Sequence, residues 1–199
     1  MSKEGVDVRR RRFLTAATTV VGAVGVGYVA VPFIVSMQPS ARAQAAGAPV
    51  EVDVGKLTPG QMMTVEWRGR PVWIVHRTER NLDDLPQLSE RMRDPESQNE
   101  DQQPAYAQNV TRSIRPEYLV VIGICTHLGC APTYRPDIGP ADLGADWRGG
   151  FFCPCHGSRF DLAGRVYQNV PAPTNLEVPP HRYLSDTLLV IGEDEEGAA

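Results

Sequence analysis

Beyond its first dozen residues, this 199-residue sequence has no basic excess to offer a polyanion. Residues 1–12 carry five basic and two acidic side chains, a net +3, so the overall −4 leaves −7 for everything that follows. Nucleic acid is thereby excluded as a partner of the folded part, because phosphate backbones are bound by clustered Lys and Arg. Isolated cysteines are also missing. All four fall in two short clusters, Cys125/Cys130 and Cys153/Cys155, which points to a site, a staple or both rather than to scattered core thiols. A third absence is charge between Phe13 and Met37, 25 consecutive residues without one charged side chain.

About 20 apolar residues cross a hydrocarbon core of about 30 Å, so residues 13–37 are long enough for one transmembrane helix. Gly22, Gly25, Gly27 and Pro32 are tolerated there, since a membrane helix satisfies its own backbone. A cleaved secretory signal is the alternative, because Ala41-Arg42-Ala43 has the A-x-A form. Arg9 to Arg12 precede the run and only Arg42 soon follows it, which places the N-terminus in the cytoplasm by the positive-inside rule. Arg10-Arg11-Arg12-Phe13-Leu14 also resembles a twin-arginine export signal. Both features export the rest of the chain, and the second exports it folded. Residues 38–49 are small, polar and poor in large apolar groups, and read as a flexible hinge or linker.

After Pro49 come short apolar or alternating runs bounded by turn residues: 50–54, 62–67, 71–76, 118–124, 150–153, 166–169 and 187–191. Trp67-Arg68-Gly69-Arg70 suggests a hairpin turn. With 17 prolines and 18 glycines, this spacing predicts a small all-β head domain of antiparallel sheets over residues 50–192. Residues 78–116 interrupt it. Leu82, Leu85, Leu88 and Met92 recur there at helical spacing, predicting one helical insertion followed by an irregular excursion. Residues 193–199 read as an acidic, frayed tail.

The chemistry lies in Cys125-Thr126-His127-Leu128-Gly129-Cys130 and Cys153-Pro154-Cys155-His156-Gly157-Ser158. Each box brings a thiolate and an imidazole two or three residues apart, close enough to reach one metal centre. Two Cys and two His also suit tetrahedral zinc, but each box has a further cysteine that such a site leaves unused. His76 and His181 are distant from any cysteine in sequence and are not expected to be ligands.

C-T-H-L-G-C followed by C-P-C-H-G-S resembles the signature of Rieske iron–sulfur proteins, in the form found in quinol-oxidising respiratory complexes. Residues 173–180, PTNLEVPP, and the 78–116 insertion resemble the iron–sulfur subunits of ubiquinol–cytochrome c reductase, the bacterial cytochrome bc complex, rather than the plastoquinol–plastocyanin branch. The resemblance implies a Rieske-type head carrying one [2Fe–2S] cluster. Cys125 and Cys153 would ligate one iron, His127 and His156 the other, and Cys130 and Cys155 would form a disulfide. It also implies that His156 accepts a hydrogen bond and a proton from ubiquinol. Ser158 would donate a hydrogen bond to a bridging sulfide, Leu128 would shield the cluster at the quinol pocket, and Pro171-Ala172-Pro173 would cover its other side. Phe160 departs from the pattern, because many members have a tyrosine there whose hydroxyl bonds a ligand sulfur. Val170 departs too, standing where glycine is frequent. The implied partners are a cytochrome b and a c-type cytochrome subunit of a dimeric complex. The implied place is the bacterial inner membrane, with one span, a cytoplasmic N-terminus and a periplasmic head.

Overall fold

A computed structural model of the chain describes residues 5, 7–41, 43, 47–194 and 197–198. Lys3, Glu4 and Arg42, used above for charge and for the A-x-A pattern, lie outside the described residues, as does part of the linker and of the acidic tail. The chain divides into two compact units, Met1–Ala45 and Ala46–Ala199.

The first unit is built on helix α1, Val8–Ser36. Asp7 caps it, its carboxylate accepting the Arg9 and Arg10 amides at 3.0 and 3.2 Å, which satisfies two of the orphan donors at a helix start. The helix has no buried residue and is long and apolar enough to cross a membrane. At about 1.5 Å per residue it exceeds the hydrocarbon thickness, so the Arg9–Arg12 turn can stand at its edge. Pro32 lies inside the last turns without ending them.

Among the described residues, the strands lie in the second unit. These are β1 Val50–Asp53, β2 Met62–Trp67, β3 Arg70–His76, β4 Tyr118–Ile122, β5 Thr133–Arg135, β6 Gly150–Phe152, β7 Arg159–Phe160, β8 His181–Tyr183, β9 Leu188–Ile191, β10 Glu193–Asp194 and β11 Gly197–Ala198. They form antiparallel sheets in the orders β1-β9-β8, β2-β3-β4 and β5-β6-β7, with β10 paired to β11. Within the tail, β10 and β11 pair at Glu193↔Ala198 and Asp194↔Gly197.

The β2–β3 hairpin turns through Arg68 and Gly69, whose φ values of 52° and 71° are those a two-residue primed turn requires. The β2-β3-β4 sheet is the middle layer, and strand periodicity shows why. Val72 and Ile74 of β3, with Val120 and Ile122 of β4, pack with Val52, Leu189 and Ile191. Their neighbours Trp73, Val75, Leu119 and Val121 point the other way, into a core shared with Cys125, Phe151, Cys153 and Phe160. Alternate side chains of an apolar run thus serve two cores.

Residues 166–169 are not a strand. Val166 bridges Phe160 and Tyr167 bridges Met92, so successive residues pair with different partners and no ladder forms, and Asn169 at φ 59° turns the chain away. Strands β5, β7 and β8 have only two or three residues each and carry no periodic signal.

The insertion begins with helix α2, Glu79–Leu88. Thr78 and Asn81 form a capping box, each side chain bonding the other's amide at 3.2 and 3.0 Å. Leu85 and Leu88 are buried and Met92 is covered as well, as the helical spacing predicts. Short 3-10 turns at Ser89–Arg91, Glu100–Gln102 and Ala105–Ala107 follow.

Candidate metal centre

The first box follows β4 and the second is the loop of the β6–β7 hairpin, where Phe152 pairs with Arg159. Both boxes close on themselves in the same way. The Cys125 amide donates to the Cys130 carbonyl at 2.8 Å and the Gly129 amide to the Cys125 carbonyl at 3.0 Å. In the second box Cys153 donates to Ser158 at 2.8 Å and Gly157 to Cys153 at 2.9 Å. Gly129 and Gly157 occupy the same fifth position with φ values of 79° and 77°, a conformation that costs other residues dearly. One loop shape is therefore made twice.

A disulfide joins Cys130 to Cys155, while Cys125 and Cys153 remain free and buried. The sulfurs of Cys130, Cys153 and Cys155 all lie within 4.8 Å of one another, so the bridge sits against the Cys153 thiol. Burial pushes the Cys125 thiol up, and its hydrogen bond and charge interaction with Cys153 push the same way, against the lowering effect of the His127 amide. The His127 and His156 rings stand 4.7 Å apart at 87°. His127 Nδ1 is buried without a hydrogen-bond partner, whereas His156 is exposed.

An orphaned buried imidazole nitrogen is costly unless something binds it. The same two boxes hold two buried thiols outside the disulfide and a second imidazole. This donor set fits a [2Fe–2S] cluster with mixed thiolate and imidazole ligation.

The surrounding residues are placed as follows. Ser158 is fully buried and its Oγ accepts the Ala172 amide at 3.0 Å. Ala172 is buried, while Pro171 and Pro173 on either side of it are exposed. Leu128 is 70% exposed at the tip of the first box. Phe160 is fully buried in the core that contains Cys125 and Cys153. Four contacts had no sequence signal. Thr126 Oγ1 donates to the Thr174 carbonyl at 2.8 Å, tying the first box to the proline-containing loop. Arg165 forms a buried ion pair with Asp161 at 2.8 Å, and Arg77 and Arg112 donate to Leu162 and Ala163 in the same turn.

His76 and His181 are elsewhere. His76 Nδ1 lies 2.5 Å from the Leu57 carbonyl. His181 Nδ1 lies 2.8 Å from the Pro179 carbonyl.

The Rieske [2Fe–2S] domain family model matches residues 49–180. Residues 1–40 match a family model described as the ubiquinol–cytochrome c reductase Fe–S subunit TAT signal. The ubiquinol–cytochrome c reductase iron–sulfur subunit of Allochromatium vinosum is 64% identical over 198 residues, covering 100% of this chain and 95% of that one. The subunit of the same description from Blastochloris viridis is 44% identical over 191 residues, covering 96% and 97%. Among solved structures, a chain of a hyperthermophilic respiratory Complex III is 26% identical with a TM-score of 0.46, covering 88% of this chain and 98% of that chain. Paired boxes in a head of this size, with relatives aligned from end to end, leave no place for a zinc module: the chain belongs to the Rieske [2Fe–2S] proteins and, among them, to the iron–sulfur subunits of ubiquinol–cytochrome c reductase.

Proposed function

We propose that Cys125 and Cys153 hold one iron of a single [2Fe–2S] cluster and His127 and His156 the other, and that the chain passes electrons from ubiquinol to a c-type cytochrome. The bound cluster supplies a one-electron acceptor whose potential is raised by its two histidines, the known behaviour of Rieske centres. The remaining roles belong to the chain. His156 is exposed, so its outer ring nitrogen accepts the quinol hydroxyl's hydrogen bond and then its proton. Leu128, exposed beside it, packs against the apolar wall of the quinol pocket. Ser158 already accepts the Ala172 amide, which leaves its own proton to donate toward the cluster. Ala172 and its flanking prolines close the opposite side against water.

The observation that carries this reading is the pairing, 4.7 Å apart across a disulfide-latched pair of loops, of a half-buried imidazole whose Nδ1 is buried and unpartnered with an exposed one. The half-buried ring anchors through its buried nitrogen and the exposed ring meets the substrate. We assign α1 as a single span with the N-terminus cytoplasmic and the head periplasmic, because the Arg9–Arg12 turn precedes the apolar run. The partners in this reading are a cytochrome b subunit and a c-type cytochrome subunit of a dimeric complex.

In the purified complex, dithionite reduction should give the paramagnetic resonance signal of a histidine-ligated [2Fe–2S] centre. His156→Ala should abolish quinol-dependent cytochrome c reduction. Activity retained in that variant, or no such signal in the native complex, would sink the proposal.

A further inference from the structure

The residues that frame the tip of the head, 125–130, 153–158 and 170–173, include no carboxylate, although the chain beyond residue 12 is net −7. A groove of about 420 Å³ borders that tip, lying between Glu90 and Arg91 of the insertion, Gly157 and Arg159 of the second box and its strand, and residues 167–170. The Arg159 guanidinium makes one hydrogen bond, to the Leu143 carbonyl at 3.3 Å, and among the described residues it has no carboxylate partner. Arg91 donates to the Asp146 carbonyl at 3.1 Å. The Asp146 carboxylate is 3.9 Å away and largely exposed, so this pair is weak and screened. The Arg91 guanidinium also lies 5.5 Å over the Tyr167 ring. That ring is only 5% exposed, and its buried hydroxyl has no hydrogen-bond partner.

Two guanidinium forks supply the positive charge of a groove whose other polar lining is Glu90, Gln168 and Asn169. The ligand that answers the forks is acceptor-only and planar, which describes a carboxylate. Glu90 on the rim offsets one of the two positive charges, so the groove suits one carboxylate rather than a polyphosphate. Gly157 adjoins the exposed His156, so a protein that meets His156 also covers the groove.

We propose that Arg159 and Arg91, the latter held over the Tyr167 ring, form a docking groove that seats an acidic side chain of the cytochrome subunit receiving the cluster's electron. The proposal rests on the electron path described above. It adds a charged contact to a tip otherwise made of Leu128, prolines and ligand loops.

The chain has two lysines, Lys3 and Lys56, and this makes zero-length crosslinking selective. In the purified complex carrying Arg159→Lys, a carbodiimide should condense the new amine with the contacting carboxylate, forming an amide as the carbodiimide becomes its urea. Peptide mapping should find the link between position 159 and an Asp or Glu of the c-type cytochrome, with no such product in the native complex. Arg159→Gln should slow cluster-to-cytochrome electron transfer about tenfold at low ionic strength and little at high salt, with an unchanged resonance spectrum. No link, or a link confined to this chain's own Glu90 or Asp146, overturns the proposal. So does an unaltered salt dependence, or inorganic phosphate slowing transfer no more than chloride at equal ionic strength. If the native complex lacks the [2Fe–2S] signal, the electron path fails, while the crosslink still reports on docking by itself.

Discussion

The buried Ser158 hydroxyl accepts the Ala172 amide at 3.0 Å, across 14 residues of sequence. One side chain of the second box therefore fixes the loop proposed to cover the cluster. Ser158→Ala should leave the Ala172 amide buried without a partner, at a cost of about 1–3 kcal/mol. It should also remove a donor to the cluster and lower its midpoint potential. Redox titration followed by paramagnetic resonance checks the potential, and chemical denaturation checks the stability.

Phe160 is fully buried in the core that also holds Cys125 and Cys153. It contributes packing and no hydrogen bond. Phe160→Tyr should add a donor toward a ligand sulfur and raise the midpoint potential, since each donor to the cluster sulfurs favours the reduced, more negative state. A titration showing an unchanged or lower potential would refute this account of why a phenylalanine here sets a comparatively low value.

Three buried guanidiniums meet the turn from Asp161 to Arg165. Arg165 bonds Asp161 at 2.8 Å and reaches the Leu85 carbonyl, Arg77 donates to Leu162 at 2.9 Å, and Arg112 donates to Ala163 at 3.2 Å. Burial lowers Arg77 and Arg112 to about 10 while Asp161 holds them up. Asp161→Asn should thus destabilise the head by about 3–5 kcal/mol, because it strands buried charge. Pairing Asp161→Leu with Arg165→Met should recover part of that loss. Denaturant midpoints of the single and double variants provide the measurement.

His181 is buried, and burial lowers its pKa from 6.5 to about 4. The folded chain keeps it neutral where the unfolded chain already takes a proton. Stability should therefore be flat above pH 6.5, fall by up to about 1.4 kcal/mol per pH unit below it, and level off beneath pH 4. His181→Phe should flatten that limb of a melting-temperature profile taken between pH 7 and 4.5.

The parts legible in the sequence were those whose cause is local. The middle sheet showed itself in runs such as residues 71–76 and 118–124, because a layer buried on both faces must be apolar throughout. The two boxes showed themselves because a tight loop of this shape needs a fixed short spacing and a glycine at its fifth position. Strands β5, β7 and β8 were illegible, since two or three residues held by distant partners leave no period. The strand expected at 166–169 failed for a related reason: Val166 and Tyr167 are apolar to suit two different neighbours. The buried roles of Arg77, Arg112 and Arg165 were also invisible. Their partners are mostly backbone carbonyls, which any sequence supplies.

Each ligand box is closed by its own backbone, through the Cys125–Cys130 and Cys153–Ser158 amide–carbonyl pairs. Side-chain ties then run from Thr126 to Thr174 and from Ala172 to Ser158. The Cys130–Cys155 bond is in this sense a seal on a shape already cast. A chain still in a reducing compartment, before any oxidation, can therefore present both thiols and both imidazoles. Loading the iron and locking the two loops together become separable steps.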